Sequence, residues 1–292
     1  MIIKQNAKSL LIKSNGIESV FGNDFYMNIY RGCSHNCIYC DSRSSCYRVE
    51  NFDKDVIVKD NAVELLEKEL VSKRKKGVIS LSGAMSDCYM HIEKKLEFTR
   101  GCLNILDKYN YPVMIHTKSD LVLRDIDILE KINNKTNANV LFTITTINDE
   151  HARIIEPNAP LPSKRFKAIK SLSDKGITTG IAIWPIIPFI TDQEKNIIEL
   201  IKYAHLAGCK YVIFGDALTL RGNQREYFYK KLDEAGSDLA KKYKRLYGDS
   251  YVCKSKNIEK IKKIIRDLCE ECGLETKVSY YQVKEPSQIS LF

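Results

Sequence analysis

Three cysteines stand close together in Arg31-Gly32-Cys33-Ser34-His35-Asn36-Cys37-Ile38-Tyr39-Cys40, at C-x3-C-x2-C spacing. A short β-type run, Phe25 to Tyr30, precedes them, so the loop hangs off the end of a strand and can wrap a metal cluster. Three thiolates from one tight loop can hold three corners of a [4Fe-4S] cube, which leaves the fourth iron open to a small chelating molecule. The spacing leaves two other readings open. One is a zinc loop, to which His35 or Cys46 would supply the fourth ligand that zinc usually wants. The other is a disulfide cluster.

The elements that must position this loop follow from hydrophobic periodicity. Strand-like runs at Gly77 to Leu81, Pro112 to Thr117, Val140 to Thr145, Thr178 to Ile183 and Tyr211 to Phe214 alternate with amphipathic helical stretches. The helices are predicted at Asn61 to Lys75, Glu93 to Lys108, Asp125 to Lys131, Pro162 to Lys175 and Asp192 to Ala207. Counted with the strand before the cysteines, these are six βα units, so the fold class is α/β: a partial (βα)6 barrel of TIM type with active residues at the C-terminal ends of its strands. Residues 1–23 read as an irregular lead-in, 24–220 as the barrel and 221–287 as a basic, mostly helical C-terminal appendage that covers its open side. Residues 288–292 form a separate tail.

At 292 residues the chain can bury a full core, and 44% apolar with 28% charged residues is the balance of a globular protein. No N-terminal segment has the build of a secretory signal and no apolar run reaches membrane-spanning length, so a cytoplasmic location, no membrane partner and reduced thiols are expected. The formal charge of +9 fits an anionic partner, nucleic acid first, without identifying it.

The cysteine spacing, with an aromatic residue just before Cys40, is similar to the signature of the radical S-adenosylmethionine (radical SAM) superfamily. Further runs narrow the resemblance to the spore photoproduct lyase-like branch, and to a related group of paired radical SAM proteins borne on mobile elements. These runs are Asn28 to Cys33, Ser86 to Glu93, Thr99-Arg100, Thr117 to Leu121, Arg124 to Asp127, Glu156 to Pro160, Lys164-Arg165 and Pro185 to Asp192. The resemblance implies that Cys33, Cys37 and Cys40 hold a [4Fe-4S] cluster, that SAM binds its open iron, and that an electron from a donor such as flavodoxin or ferredoxin splits SAM to a 5′-deoxyadenosyl radical.

It also implies cofactor contacts. Ser82 and Gly83, small residues at the end of the second strand, let backbone approach the methionine end of SAM. Ser86 would serve its amino group or carboxylate. Lys118, costly to bury without an anion, would take the carboxylate. Thr143 and Thr145 share a strand face and would hold the carboxylate or ribose hydroxyls, although threonines also simply suit strands. Tyr39 would contact adenine through its ring or backbone, and Ile183 lies where the family places an adenine-contacting strand. Trp184 is read as core, Asp125 as a helix cap, and Glu156 with Arg165 as a structural pair.

Two positions depart from the branch. Ala84 stands where the lyase has its hydrogen-donor cysteine, and Asp41 where it has a tyrosine after the third cluster cysteine. Cys88 and Cys46 are the neighbouring thiols that would replace the donor. Cys253, Cys269 and Cys272 are read as structural, because a second cluster needs about four ligands. The tail Gln288-Ile289-Ser290-Leu291-Phe292 resembles the Q-L-S-L-F peptide that binds the DNA polymerase sliding clamp, or else folds back on the barrel. The expected function is radical SAM chemistry on nucleic acid, DNA favoured, with basic residues of the appendage holding the backbone and its tyrosines stacking bases. The alternatives are chemistry on a peptide or small molecule, and a non-catalytic cluster-binding module.

Overall fold

The computed structural model describes residues 1–14, 20–81, 86–236 and 238–282. Six parallel strands, β1 (Phe25–Met27), β2 (Ile79–Leu81), β3 (Val113–Thr117), β4 (Ala138–Thr143), β5 (Thr178–Ile183) and β6 (Tyr211–Phe214), lie side by side in chain order. Strand Leu11–Lys13 closes the β1 edge antiparallel. Helices α1 (Ala62–Val71), α2 (Phe98–Lys108), α3 (Ile126–Lys135), α4 (Pro162–Asp174) and α5 (Glu194–Leu206) make the crossovers. A sheet in strict sequential order with a helix after each strand is a partial barrel, and all six strands end towards one mouth.

Alternation along the strands builds two layers. Val113, Ile115, Val140, Phe142, Ile181 and Ile183 pack with the helices in the main core. Met114, Leu141, Ala182 and Ile213 form a second cluster on the opposite face. Tyr211 crosses that second face, its hydroxyl donating to Asn139 Oδ1 at 2.7 Å. Its ring leaves no room for a side chain on β5, since a Cβ at Gly180 would lie 2.4 Å from it.

The structure departs from the sequence expectations in three places. The lead-in is not irregular: Ile2–Gln5 pairs parallel with Val56–Lys59, which also takes Tyr30–Arg31 antiparallel, making a three-stranded side sheet. Every residue of Ile2–Gln5 is exposed, so the strand has no apolar face for periodicity to reveal. The predicted helix from Glu93 breaks at Glu97, which has a left-handed φ of 54°. There the buried Glu93 carboxylate accepts the Thr99 backbone N–H at 2.7 Å and so caps α2 from the preceding turn. Asp125 precedes α3 but makes no capping bond. Its carboxylate instead accepts from Arg100 Nη1 at 2.9 Å, Arg124 Nη2 at 2.8 Å and the Tyr89 hydroxyl at 3.1 Å.

After the barrel come α6 (Gly222–Glu234), α7 (Leu239–Tyr247) and α8 (Ile258–Glu271). Ile261, Ile265 and Cys269 of α8 join the main core, and α8 packs on α5. The next residues line the free edge of β6, where Val212 N–H donates to the Glu275 carbonyl at 2.8 Å. The tyrosines of α6 and α7 divide: Tyr227 and Tyr247 are half-buried, whereas the other two are taken inside. Tyr229 and Tyr243 are buried with Phe228 in a separate core, because two amphipathic helices with few aliphatic residues must close on their aromatic ones.

Candidate active site

The mouth of the barrel opens into a cavity of about 620 Å³. Cys33, Cys37 and Cys40 all line it, together with Ser86, Lys118 and Thr143 from three different strand ends. Strands that end at one level deliver these groups to one place although they lie far apart in sequence.

The cysteine loop is held from three directions. From the β2 side, the buried Asp87 carboxylate accepts from Thr117 Oγ1 at 2.6 Å and from the Lys118 backbone N–H at 2.7 Å, and lies 3.2 Å from His35 Nε2. Burial alone would raise the Asp87 pKa, but His35, Thr117 and the Lys118 N–H overcome it and hold the carboxyl well below the usual range. From the β4 side, Ile38 N–H donates to the Ile155 carbonyl at 2.9 Å and Asn158 Nδ2 to the Ser34 carbonyl at 3.0 Å. From the appendage, buried Gln224 Nε2 donates to the Tyr39 carbonyl at 3.1 Å.

Beneath the loop lies a buried ion pair. Arg165, fully buried, donates to Glu156 Oε2 at 2.5 Å, to the Thr143 carbonyl at 2.9 Å and to the Pro160 carbonyl at 2.7 Å. The Tyr39 hydroxyl donates to the other Glu156 oxygen. Burial opposes the Glu156 charge, yet Arg165 and Lys118 lower its pKa below the ordinary value.

Among the predicted cofactor residues, Ser86 lines the cavity and its hydroxyl donates to the Tyr30 carbonyl at 2.9 Å. A hydroxyl with its one hydrogen so committed keeps lone pairs to accept from a ligand ammonium. Lys118 is largely enclosed, with Nζ 5.8 Å from the Tyr39 ring centre. Burial disfavours its charge, but the Cys37 and Glu156 side chains outweigh that and raise its pKa. A cationic side chain kept charged in a cavity suits an anionic ligand group. Thr143 Oγ1 lies 2.7 Å from His116 Nε2.

Other predicted residues stand elsewhere. Tyr39 and Thr145 are buried and do not line the cavity, and the Tyr39 ring is committed to Glu156. The Ile183 side chain faces the helices in the main core, because side chains alternate along β5. The next residue, Trp184, faces the cavity and is 40% exposed, which corrects its reading as core. Cys88 is not placed to donate a hydrogen atom: the turn in which Tyr89 N–H bonds Asp87 carries it into the main core. Asp41 and Cys46 lie on short 3₁₀ turns and do not line the cavity, although Cys40 and Ser42 on either side of Asp41 do; Arg221 Nε is 2.9 Å from Asp41 Oδ1 and Nη1 is 3.7 Å from Cys46 Sγ. Ser82, Gly83 and Ala84 lie outside the described residues, as does the tail from Gln288 to Phe292.

The sequence reading missed His116, Phe21, Tyr26 and Phe52, all of which line the cavity. His116 was legible, since it stands two residues before Lys118 and must share its strand face. Phe21 lies 5.4 Å from the His116 ring and 6.3 Å from the Trp184 ring, so aromatic surface rims the cavity. Burial, helped by Lys118, lowers the His116 pKa to about 4, so the imidazole is neutral near pH 7.

The three cysteines on one loop fit a cluster better than a zinc ion. A zinc ion would want a fourth protein ligand, but the His35 ring lies 3.2 Å from Asp87 and Cys46 does not line the cavity. A cube asks each thiol to reach a different iron. All ten cysteines stand as free thiols.

The family model for the radical SAM superfamily matches residues 27–201. An uncharacterized protein of Mycobacterium tuberculosis is 28% identical over 229 residues, covering 76% of this chain and 67% of that protein. Another, of Methanocaldococcus jannaschii, is 37% identical over 175 residues, covering 59% and 64%. An uncharacterized protein of Acidianus two-tailed virus is 24% identical over 246 residues, covering 78% of each. Among solved structures, spore photoproduct lyase complexed with dinucleoside spore photoproduct matches with a TM-score of 0.69 at 15% identity, over 95% of this chain and 82% of that one. A mutant of that lyase with bound AdoMet and the same dinucleoside matches equally well. At such identity the likeness is one of fold. The family uses a [4Fe-4S] cluster and SAM, which suits the thiol loop and the charged lysine that face this cavity. With the family model spanning more than half of its residues, the chain belongs to the radical SAM superfamily and is a radical SAM enzyme.

Proposed function

We propose that the protein cleaves SAM reductively and directs the resulting radical to a base in nucleic acid, DNA favoured. The observation that carries the first part is the convergence of Cys33, Cys37, Cys40, Ser86, Lys118 and Thr143 on one cavity. When bound, the cluster and SAM supply a 5′-deoxyadenosyl radical, given one electron from a donor such as flavodoxin or ferredoxin. The chain's own residues bind and aim. Lys118 takes the SAM carboxylate as a charge-assisted partner, and Ser86 accepts from the ammonium. His116, neutral and tied to Thr143, orients that hydroxyl without adding charge beside Lys118. Burial of the Asp87 and Glu156 networks keeps the loop fixed while the ligand binds.

Three observations support the nucleic-acid substrate. The net charge is +9. The fold matches a lyase solved with a dinucleoside photoproduct. Phe21 and Trp184 offer flat aromatic surface at the cavity, on which an extruded base can stack. The displacement of Cys88 and Cys46 from the cavity supports a hydrogen donor other than these thiols, and hence a reaction distinct from that of the lyase. Ten unpaired cysteines support work in a reducing cytoplasm, and among the described residues no helix is long and apolar enough to cross a membrane. The tail Gln288 to Phe292 would recruit the enzyme to the sliding clamp.

The test is anaerobic reconstitution with SAM and dithionite in the presence of deuterated oligonucleotides. Deuterium in the released 5′-deoxyadenosine is the expected result. Absence of 5′-deoxyadenosine refutes SAM cleavage. Its formation without deuterium, by protein that binds no oligonucleotide at low salt, refutes the substrate class and leaves a peptide or small molecule.

A further inference from the structure

Beside the cavity lies a second pocket of about 240 Å³, lined among others by Arg43, Phe52, Asp53, Lys54, Asn223 and Tyr227. Phe52 lines both spaces, and Ser42 lines the cavity while Arg43 lines the pocket, so a single turn divides them. We propose that this pocket is a phosphate subsite and that it holds a backbone phosphate of the substrate strand. The second half rests on the nucleic-acid reading above.

The state of Arg43 carries the inference. It is 94% buried, being 6% exposed, and its guanidinium carbon lies 3.6 Å from the Tyr227 ring centre and 4.7 Å from that of Phe52. Nη1 pairs with Asp53 Oδ1 at 2.7 Å. Nε and Nη2 are buried and find no acceptor among the described residues. These two nitrogens form the side of the guanidinium that pairs with two oxygens of one oxyanion. Arg165 shows how the same fold treats an arginine with a structural task, since all three of its nitrogens have acceptors. Both nitrogens are closed to water in the free protein, where leaving the fork unspent is unfavourable, and an oxyanion that reaches it between the two rings would satisfy it.

The charges that line the pocket balance, two cations against two anions, so the unspent side of Arg43 decides what it takes. Asp53 is already matched by Arg43 and receives the Tyr227 hydroxyl at 3.4 Å. Glu50 also lines the pocket but is exposed, as is Lys54. Lys231 Nζ lies 5.6 Å from the Tyr227 ring, but it is paired with Glu234 at 2.7 Å and does not line the pocket. Asn223, second residue of α6, brings the positive end of a 13-residue helix to the pocket.

The test is fluorescence anisotropy of a short single-stranded oligonucleotide with reconstituted protein over a salt series. Arg43→Gln should weaken binding about tenfold, or about 1.4 kcal/mol, and lower the salt slope by about one. Arg43→Lys should lose several-fold, because it keeps the charge without the fork. Asp53→Asn should tighten binding, since it removes the carboxylate that competes for Arg43. Unchanged affinity and slope in Arg43→Gln, or a loss of stability in Asp53→Asn without tighter binding, would overturn the subsite. If wild-type protein binds no oligonucleotide, the nucleic-acid reading fails separately and inorganic phosphate decides the pocket. Thermal stabilisation by phosphate in wild type but not in Arg43→Gln keeps the anion site with free phosphate as its source. Stabilisation of both or neither overturns it.

Discussion

Replacing Arg165 with methionine tests whether the buried ion pair holds the cluster loop. The substitution keeps the bulk of the side chain but removes three hydrogen bonds, to Glu156, Thr143 and Pro160. It also strands the Glu156 carboxylate, which is 2% exposed, with only the Tyr39 hydroxyl and the more distant Lys118 to compensate its charge. Breaking one side of a buried pair costs about 3–5 kcal/mol, most of it the uncompensated charge. Adding Glu156→Gln should therefore recover about 2 kcal/mol, because the stranded group becomes neutral and keeps an acceptor for Tyr39. Urea titration of the anaerobic apoprotein, compared at a common m-value, gives both numbers. The reconstituted Arg165→Met protein should also hold less iron per chain, since Tyr39 lies inside the cysteine loop. A cost below about 1 kcal/mol, or a double variant no more stable than Arg165→Met, would refute the argument that charge burial dominates here.

Further outcomes follow from the same site. Lys118→Met should weaken SAM binding about tenfold to a hundredfold with iron content retained, as measured by equilibrium dialysis; equal affinity would remove Lys118 from the carboxylate site. Gly215→Ala should displace the indole of Trp184, since the added Cβ would lie 2.8 Å from it, and fluorescence of this sole tryptophan reports the change directly. The His116 pKa is depressed to about 4 from an ordinary value near 6.5, so the unfolded chain binds the extra proton first as pH falls. Stability should thus drop by about 2.6 kcal/mol between pH 6.5 and 4 on this group's account, and His116→Gln should flatten that part of the urea-midpoint profile. Cys88→Ala should leave 5′-deoxyadenosine formation intact and lower stability by about 1 kcal/mol, a core loss without a catalytic one.

Cysteine spacing and hydrophobic periodicity carried the cluster chemistry and the order of the barrel. C-x3-C-x2-C is a local pattern, set by how far one loop can reach, and alternating βα periodicity survives in any linear reading because it depends on near neighbours. The Lys118 and Ser86 assignments came from strand ends, where the fold class alone predicts a shared mouth. Tertiary structure decided what each remaining side chain faces. One residue of alternation separates Ile183 in the core from Trp184 in the cavity. A turn closed on Asp87 buries Cys88, and Arg221 pairs with Asp41. The tyrosines of α6 and α7 look in sequence like a basic, aromatic binding surface, but the need to close two short helices on each other takes the rings of Tyr229 and Tyr243 inside. Arg43 gave no local signal at all. Its unspent fork exists only because Phe52, Asp53 and Tyr227, from two distant parts of the chain, close around it.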